Sequence, residues 1–540
     1  MSRVVVVGSG ASGVHFALSA LRRGHEVVML DVGHGRREAV RPDQTLEGLK
    51  TALPDPVAYF LGPRYGALML PDNDTEYYGL PPSKDYVFAG TPRARIHAAG
   101  FHPLASFAQG GLAEAWTAGV YPFADVELRD FPFSYADLAP HYAEIARRIG
   151  VCGAEDDLVR FHPVHEHLTT PLNLDEHSAV LAASYARERQ RIQRRAGCWL
   201  GRSRIAVLSS SRDAGGAGRG GCVYCGRCLW GCPHGALYTP SITLAECRAF
   251  PKFRYVAGTF VSHFRSTRGG HVSHVVAEPS GGGAAQEVPL DSLVLAAGTL
   301  SSTRIFLDSV HRHTGEVLTL SGLMDNRQIL VPFVTLRMLG QPYRPERYQY
   351  HQLALALESP DPASLVHGQI TTLKTALAHP IIQRLPFDLR SSTRVFRMVR
   401  SALGLVNLNL PDTRRPGNEV TIEPGGTSVP SSLRISYQPA ADEQVRIDNA
   451  LARTRSALRM LGCVVPPGMT HVRPMGASVH YAGTVPMRRD GGSGTTDAEC
   501  RSRDFPNLYF VDGTTYPFLP AKNITFTLMA NAARVAETAF

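Results

Sequence analysis

The first thirty residues constrain the fold of this chain more than any other segment. Val4–Val7 is a run of β-branched residues, which predicts a parallel strand buried on both faces. Gly8, Gly10 and Gly13 follow as G-x-G-x-x-G, where a helical pattern begins. In such a turn the first glycine allows the bend, the second lets a phosphate approach the backbone, and the third lets helix and strand pack closely. Asp31 ends the next predicted strand, where an acidic residue binds a ribose hydroxyl.

This context predicts a dinucleotide-binding unit. The start of the predicted helix offers free N–H groups and the positive end of its dipole to phosphates. Ser12, in the first helical turn, belongs to the same predicted site. The motif by itself does not distinguish FAD from NAD, and a purely structural strand–turn–helix unit is the alternative.

The composition is that of a globular protein with a full core. Of 540 residues, 44% are hydrophobic and 19% are charged. The net charge of +9 comes mostly from scattered arginines, without the basic stripe typical of nucleic-acid-binding proteins. No apolar run approaches the roughly 20 residues of a membrane span, and the first strand starts too early to leave room for a signal peptide. We therefore expect a cytoplasmic protein with reduced thiols and without a nucleic-acid partner.

Four of the nine cysteines are clustered. Cys222, Cys225, Cys228 and Cys232 have the spacing C-x2-C-x2-C-x3-C and are followed by Pro233, which is typical of an iron–sulfur ferredoxin loop. Zinc sites usually pair two C-x2-C units across a dozen or more residues, and disulfides are not expected in a reducing compartment. In two-cluster ferredoxins the fourth cysteine ligates another cluster, yet this chain has no second run. The spacing predicts an iron–sulfur cluster, with a metal-free packed thiol loop and zinc as alternatives.

The middle of the chain is predicted to have a different type of secondary structure from its ends. Between residues 327 and 470, alternating runs such as "NEVTIEP" predict an antiparallel sheet. Helical spacing over Phe133–Val151, with Ser134 as N-cap, predicts one helix, and Ala179–Gly197 predicts a second, basic helix. The carboxyl-terminal residues return to strand, loop and helix.

Together these segments resemble the glucose–methanol–choline (GMC) family of FAD-dependent oxidoreductases over the whole chain. "GGLAEAW" at Gly110–Trp116 resembles the family's flavin-contacting loop, and "LVLAAGTLSSTRIFLDS" resembles the strand and helix that cover FAD. "GLMDNRQ" at Gly322–Gln328 resembles the family's GL-x-DN stretch. "NLYFVDGTTYPF" followed by "KNITFTLMANAARVAE" resembles the family's carboxyl-terminal motif.

The resemblance implies an α/β plus antiparallel-β fold. In this family a discontinuous Rossmann-like FAD-binding domain carries an inserted antiparallel-sheet substrate domain. The FAD-binding domain is then expected at residues 1–130, 200–326 and 465–540, with the cysteine-rich loop at 222–232. The substrate or cap domain is expected at 131–199 and 327–464.

FAD is the cofactor that the resemblance implies. Gly8, Gly10, Ser12, Gly13 and Asp31 would hold its ADP half. The remaining contacts implied by the resemblance are Gly110, Gly111, Trp116, Val261, Ala297, Gly298, Asp512, Gly513, Asn523 and Thr525.

A catalytic pair is also implied. His480 begins H-x-x-G-T, similar to the stretch that carries the family's catalytic histidine, and Asn523 matches the position of its partner. Imidazole has a pKa near working pH, so His480 suits removal of the hydroxyl proton while hydride passes to flavin N5. Asn523 would orient the hydroxyl. Ile524 replaces the family's usual proline, and the neighbouring His471 lacks the motif.

The cysteine loop acquires a role in this context. "CPHGALY" is similar to the CP-x-GA stretch of GMC dehydrogenases that carry an iron–sulfur cluster. A [4Fe–4S] or [3Fe–4S] cluster would pass electrons from the flavin to an external acceptor. The alternatives are an oxidase that uses O2 with a metal-free loop, a non-redox lyase on the same scaffold, and a binding protein with a dormant site.

The predicted sheet also suggests the substrate. His351, Gln369, Thr371 and Lys374 would face a polar alcohol, either sugar-like or a secondary metabolite. The alternative is that they are surface residues of a half-solvated sheet.

Overall fold

A five-stranded, fully parallel sheet lies at the centre of the protein. The computed structural model describes residues 2–36, 45–62, 65–68, 76, 78–211, 218–373, 378–426 and 430–540. The strand order in the parallel sheet is Leu508–Phe510, Ser292–Leu295, Arg3–Val7, Glu26–Leu30 and Phe253–Val256. Three distant parts of the chain therefore build one sheet, and the amino-terminal valines occupy its middle.

The two ends of the chain pack against each other beside this sheet. The helix Ala11–Arg22 follows the first strand and contacts the carboxyl-terminal helix Thr525–Thr538. Their apolar side chains belong to one buried cluster, together with Val4 and Val6 from the central strand. This packing brings the residues just before Thr525 close to the glycine turn.

The second large sheet is antiparallel and has seven strands. Its order is Cys463–Val464, Arg327–Thr335, Leu403–Leu410, Val366–Thr372, Leu353–Leu357 and Cys198–Arg202, with His471–Val472 also paired to Arg327–Thr335. One face packs against the helices Glu176–Ala196 and Glu443–Met460 through a buried cluster that includes Ile329, Val331 and Val406. The other face is directed toward the parallel sheet. The predicted fold class is confirmed.

Smaller sheets complete the β-structure. A three-stranded antiparallel sheet consists of Gln286–Pro289, Val272–Pro279 and Thr259–Ser266. A four-stranded sheet consists of Leu320–Ser321, Glu419–Glu423, Ser432–Ser436 and Ile96–Ala99. Two short pairs are Asp412–Thr413 with Phe518–Leu519 and Val151–Cys152 with Leu168–Thr169. The boundary expected between residues 199 and 200 falls inside the strand Cys198–Arg202.

The helices surround these sheets. The remaining α-helices are Leu46–Ala52, Pro56–Leu61, Asp85–Phe88, Tyr135–Ile149, Pro240–Arg248, Thr299–Thr314, His379–Gln383 and Leu389–Val399. Tyr135–Ile149 begins directly after Ser134, as predicted, and the Asp137 carboxylate accepts a hydrogen bond from the Ser134 N–H at 2.8 Å. Across the described ranges, no helix is long and apolar enough to cross a membrane.

A buried ion pair fixes the loop before the last helix. The Lys522 ammonium lies 2.5 Å from a carboxylate oxygen of Glu127, and both side chains are buried. Lys522 also donates to the carbonyl oxygens of Pro122 and Phe161, at 2.9 and 2.8 Å. Burial lowers the pKa of Lys522 and raises that of Glu127, so each charge depends on its partner. The pair anchors the residue that precedes Asn523.

We expect Lys522→Met to destabilise the protein by about 3–5 kcal/mol, because it leaves the Glu127 carboxylate buried without a partner. Chemical denaturation followed by tryptophan fluorescence measures the change. The double variant Lys522→Met/Glu127→Leu should recover most of the loss. Lys50→Met serves as control, since Lys50 forms an exposed pair with Glu47 and should cost less than about 1 kcal/mol. A single variant as stable as wild type would contradict the anchoring role.

Candidate active site

A cavity of about 1570 Å³ lies between the carboxyl ends of the parallel strands and the open face of the seven-stranded sheet. Ligand pockets usually measure about 300–1,000 Å³, so this one has room for a cofactor together with a second molecule. It reaches from the glycine turn at Gly8 to the strand Arg327–Thr335.

The glycine turn forms one end of the cavity. Gly8 has a φ of +101°, and a Cβ there would lie 2.6 Å from the carbonyl oxygen of Ala296. A Cβ on Gly13 would lie 2.1 Å from the carbonyl oxygen of Gly8, so the helix can pack this closely only without a side chain. Gly10, by contrast, has free space above it and lines the cavity. The backbone at Gly10 and the N-terminus of Ala11–Arg22 are therefore accessible to a phosphate.

Asp31 lies beside this turn. Its carboxylate accepts hydrogen bonds from the hydroxyls of Ser9 and Tyr255, the latter at 3.0 Å. Burial raises the pKa of Asp31 to about 6, although both hydroxyls oppose the shift. The carboxylate is thus held in place at the edge of the cavity, where a ribose hydroxyl would approach.

The loop that contains Gly110 and Trp116 closes over the turn. The Gly110 N–H donates to Ser9 Oγ at 2.9 Å, and the Trp116 indole N–H donates to the carbonyl oxygen of Tyr238 at 2.8 Å. The loop is therefore tied both to the glycine turn and to the segment that follows the cysteines.

Asp512 joins two further cavity walls. Its carboxylate accepts from the Gly298 N–H at 2.9 Å and from the Ser302 hydroxyl at 2.5 Å. The same carboxylate accepts from the N–H and hydroxyl of Thr514. The predicted segments around Ala297 and Gly513 meet at this carboxylate.

Most of the predicted cofactor residues border the cavity. Those that line it are Gly8, Gly10, Ser12, Asp31, Gly111, Trp116, Val261, Ala297, Gly298, Asp512, Gly513, Asn523 and Thr525. Gly13 and Gly110 lie behind the wall, where they allow close packing. The carbonyl oxygen of Val261 accepts a hydrogen bond from Arg304 at 2.8 Å. The glycine turn, the helix N-terminus and Asp31 together fit the ADP half of FAD.

His480 lies on the opposite side of the cavity, and Asn326 sets its tautomer. His480 Nδ1 is 3.0 Å from Asn326 Oδ1. The amide nitrogen of Asn326 donates to the carbonyl oxygens of Leu410 and Pro520, each at 3.0 Å, so the amide oxygen faces the histidine. An amide oxygen only accepts, and His480 Nδ1 therefore carries the proton. Nε2 is left with its lone pair.

Asp325 fixes the loop that carries His480. Its carboxylate accepts from the Gly476 N–H at 2.6 Å and from the Ser478 hydroxyl. Ser478 Oγ in turn accepts from the His480 backbone N–H at 3.1 Å. Burial raises the pKa of Asp325 to about 7.

Asn523 is held from the seven-stranded sheet. Gln369 Nε2 donates to Asn523 Oδ1 at 2.6 Å, and both residues line the cavity. With its oxygen engaged, Asn523 has its amide N–H groups available as donors. The site thus combines an acceptor on His480 with a donor on Asn523, an arrangement suited to removing a hydroxyl proton and stabilising the oxygen left behind.

Burial keeps the imidazole of His480 neutral. Loss of solvation lowers the pKa of His480 to about 4, so the imidazole is neutral at neutral pH. His471 lies at the cavity rim instead, half exposed, where its ring is 3.1 Å from the Glu76 carboxylate.

The sequence did not assign roles to Asn326 or Asp325, although it singled out the motif that contains both. Their position in the polar pair "DN" between apolar runs was the available signal. Of the predicted substrate residues, His351, Gln369 and Thr371 line the cavity, and Lys374 lies outside the described residues.

The cysteine loop borders the same cavity. The turn Cys228–Trp230 places Leu229 in its wall, and the hydroxyl of Tyr350, another lining residue, lies 3.4 Å from the carbonyl oxygen of Cys228. Cys232 Sγ accepts from the Leu237 N–H at 3.5 Å. The loop is therefore part of the wall.

The four thiols do not form a ligand set as placed. Burial raises the pKa of Cys222 to about 11 and also raises the pKa values of Cys225 and Cys228, with neighbouring thiols adding to each shift. In the part of the chain that the structure describes, no three histidine, cysteine or acidic side chains are grouped to hold a metal ion. The arrangement does not fit an iron–sulfur cluster. All nine cysteines are free thiols.

Comparisons with known proteins agree with this geometry. Residues 415–532 match the family described as GMC oxidoreductase. Over 99% of its length the chain is 25% identical to 6'''-hydroxyparomomycin C oxidase from Streptomyces lividus and to paromamine 6'-oxidase from Streptomyces fradiae, in each case covering 90% of the relative.

Solved structures share the fold. Pyridoxine 4-oxidase from Mesorbium loti superposes with a TM-score of 0.60 at 15% identity, over 99% of both chains. An FAD-dependent oxidoreductase from Chaetomium thermophilum gives 0.58 at 13% identity, over 99% of this chain and 98% of that one. Fold and cavity together define an FAD-dependent oxidoreductase. The match to GMC oxidoreductases, together with the two oxidases similar over the whole length, indicates an FAD-dependent enzyme that oxidises alcohols.

We expect Asn326→Ala to lower the rate of flavin reduction by about 10–100-fold, because the His480 ring loses the acceptor that fixes its orientation and tautomer. The ratio of the 450 nm flavin absorbance to protein should stay at the wild-type value. Asn173→Ala is the control, since the Asn173 side chain is exposed and does not line the cavity. An unchanged rate in the Asn326 variant would exclude the positioning role.

Proposed function

We propose that the protein oxidises the CH–OH group of a small-molecule alcohol, with His480 as the base. Bound FAD supplies the hydride acceptor, N5 of its flavin ring. His480 Nε2 takes the hydroxyl proton, while the Asn523 amide donates a hydrogen bond to the same oxygen. The observation that carries the proposal is the pairing of a neutral imidazole, locked by Asn326, with an amide donor in one cavity.

The assignment of the cavity walls to FAD is part of this proposal. The glycine turn and Asp31 would bind the ADP half, and the loop at Gly110–Trp116 and the segment at Asp512 would hold the flavin half. The proposal divides the chain into an FAD-binding domain at 1–130, 200–326 and 465–540 and a substrate domain at 131–199 and 327–464.

The substrate in this proposal presents a polar, hydroxyl-bearing head to the catalytic pair. The names of the relatives point in the same direction, since one is a paromamine 6'-oxidase. Polar side chains in the cavity wall support a polar head group. Two of them, Gln369 and Thr371, lie on the seven-stranded sheet, and His351 lies just before its strand Leu353–Leu357. A cytoplasmic location is a further part of the proposal, supported by the nine free thiols.

The electron acceptor is a further part of the proposal. Cysteine spacing and the loop's place in the cavity wall support an iron–sulfur outlet, whereas the side-chain arrangement does not. The proposed reaction therefore contains no step through a cluster, and O2 or another external acceptor would complete it.

Measuring iron and acid-labile sulfide in anaerobically purified protein tests whether the cysteine loop holds an iron–sulfur cluster. The geometry leads us to expect flavin without stoichiometric iron, because no three of the described thiols are grouped to hold a metal ion. About three or four iron atoms per chain, lost in Cys228→Ser, would show instead that the loop rearranges to hold a cluster. Cys463→Ser is the matched control, since Cys463 is a buried thiol outside the loop.

Anaerobic mixing with candidate alcohols tests the reaction itself. We expect the flavin to bleach and His480→Gln to slow bleaching by about 10²–10⁴-fold, because the variant lacks the base. Since the pKa of His480 is lowered to about 4, the rate should be level above about pH 5 and fall as the ring becomes protonated below it. Full bleaching by His480→Gln would contradict the assignment, and a flavin that no alcohol bleaches would favour a lyase or a binding protein.

A further inference from the structure

The side chains on the open face of the seven-stranded sheet become less polar along its strands. Pairing places Leu330, Asn407 and Gln369 in one row across three strands. The next row on the same face contains Pro332, Leu405 and Thr371, and the row after it contains Val334, Leu403 and Leu373. All nine residues line the cavity.

The row with Gln369 is the one next to the catalytic pair, because Gln369 bonds Asn523. Within the strand Leu403–Leu410 the open face reads Leu403, Leu405, Asn407 and Asn409 in order. Polarity therefore falls with distance from the catalytic pair. Strand residues rise by about 3.4 Å, so the next two rows, which are apolar except for Thr371, extend about 14 Å beyond Asn407.

Apolar residues are unusual on this face. An antiparallel sheet with one face in the core normally alternates, with polar residues on the open side. Here the core face already holds Ile329, Val331 and Val406, yet Leu403 and Leu405 on the open face remain half-buried. A half-buried apolar surface inside a cavity is typical of a ligand site.

The carboxylate at this end of the cavity already has cationic partners. Among the described residues lining the cavity, the carboxylates are Asp31, Glu76 and Asp512. Asp31 and Asp512 are engaged at the glycine end, as described above. Glu76 lies 2.9 Å from Arg473 and 3.1 Å from His471. Among these described lining residues, an ammonium group buried with the substrate would find no free carboxylate.

We infer that the substrate is an uncharged amphiphilic alcohol, with a hydroxyl-bearing head at His480 and Asn523 and an apolar tail along the Pro332 and Val334 rows. The inference rests on the proposed function, because that proposal fixes which end carries the reacting hydroxyl. It departs from the amino sugars named for the relatives in charge and in the tail.

A series of n-alkyl β-D-glucopyranosides tests the tail. Dissociation constants of the methyl, butyl, hexyl and octyl glucosides are measured by calorimetry on the FAD-loaded protein, with its flavin kept chemically reduced so that no turnover occurs. Each pair of added methylenes should tighten binding about tenfold. Glucosamine should bind no better than glucose.

Leu405→Asn extends the polar row and should cut the octyl-to-methyl affinity ratio more than tenfold. Val445→Asn is the matched control, since Val445 is exposed on the helix behind the sheet and should keep the wild-type ratio. Flavin content verifies that both variants are folded. Equal binding of methyl and octyl glucosides, or preferred binding of glucosamine, would overturn the inference.

Anaerobic bleaching by the same glucosides separates the two proposals. If tail length governs binding but no alcohol reduces the flavin, the tail site stands and the proposed reaction fails. If methyl glucoside bleaches the flavin and longer tails bring no tighter binding, the reaction stands and the tail site fails.

Discussion

Three consecutive residues, Met324 to Asn326, hold His480, the proposed base. Met324 pairs with Ala482 through two backbone hydrogen bonds of 2.9 and 3.1 Å, and Asp325 binds the loop at Gly476 and Ser478. Asn326 then binds the ring of His480 itself. Because one segment fixes backbone, loop and ring, the imidazole enters the cavity in one orientation and one tautomer.

The partner of the histidine is positioned by separate parts of the chain. Gln369, on the antiparallel sheet, engages the oxygen of Asn523, while the buried Lys522–Glu127 pair anchors the preceding residue. The loop also leads directly into the helix packed on the amino-terminal helix. His480 and Asn523 are therefore positioned by contacts with separate parts of the chain, among them the antiparallel sheet and one buried ion pair.

The same antiparallel sheet makes one part of the cavity wall polar and another part apolar. Its covered face packs on two helices, and its open face grades from asparagine and glutamine near the catalytic pair to leucine and proline farther away. The cysteine loop contributes to the wall as well, through Leu229. Spacing alone indicated a metal there. A metal site also requires the sulfur atoms to converge, and no three of the described thiols are grouped in that way.

Local sequence determined the elements whose signals are short-range. The β-branched run at Val4–Val7 and the glycine spacing predicted the strand, turn and helix, because each depends on neighbours within a few residues. The GMC-like motifs pointed to His480 and Asn523. Only the tertiary structure decided that Asn326 fixes the proton on His480 and that Leu403 and Leu405 face a cavity. Those facts depend on contacts between distant segments, such as the bond of Asn326 to His480 across 154 positions and to Pro520 across 194, which no local pattern encodes.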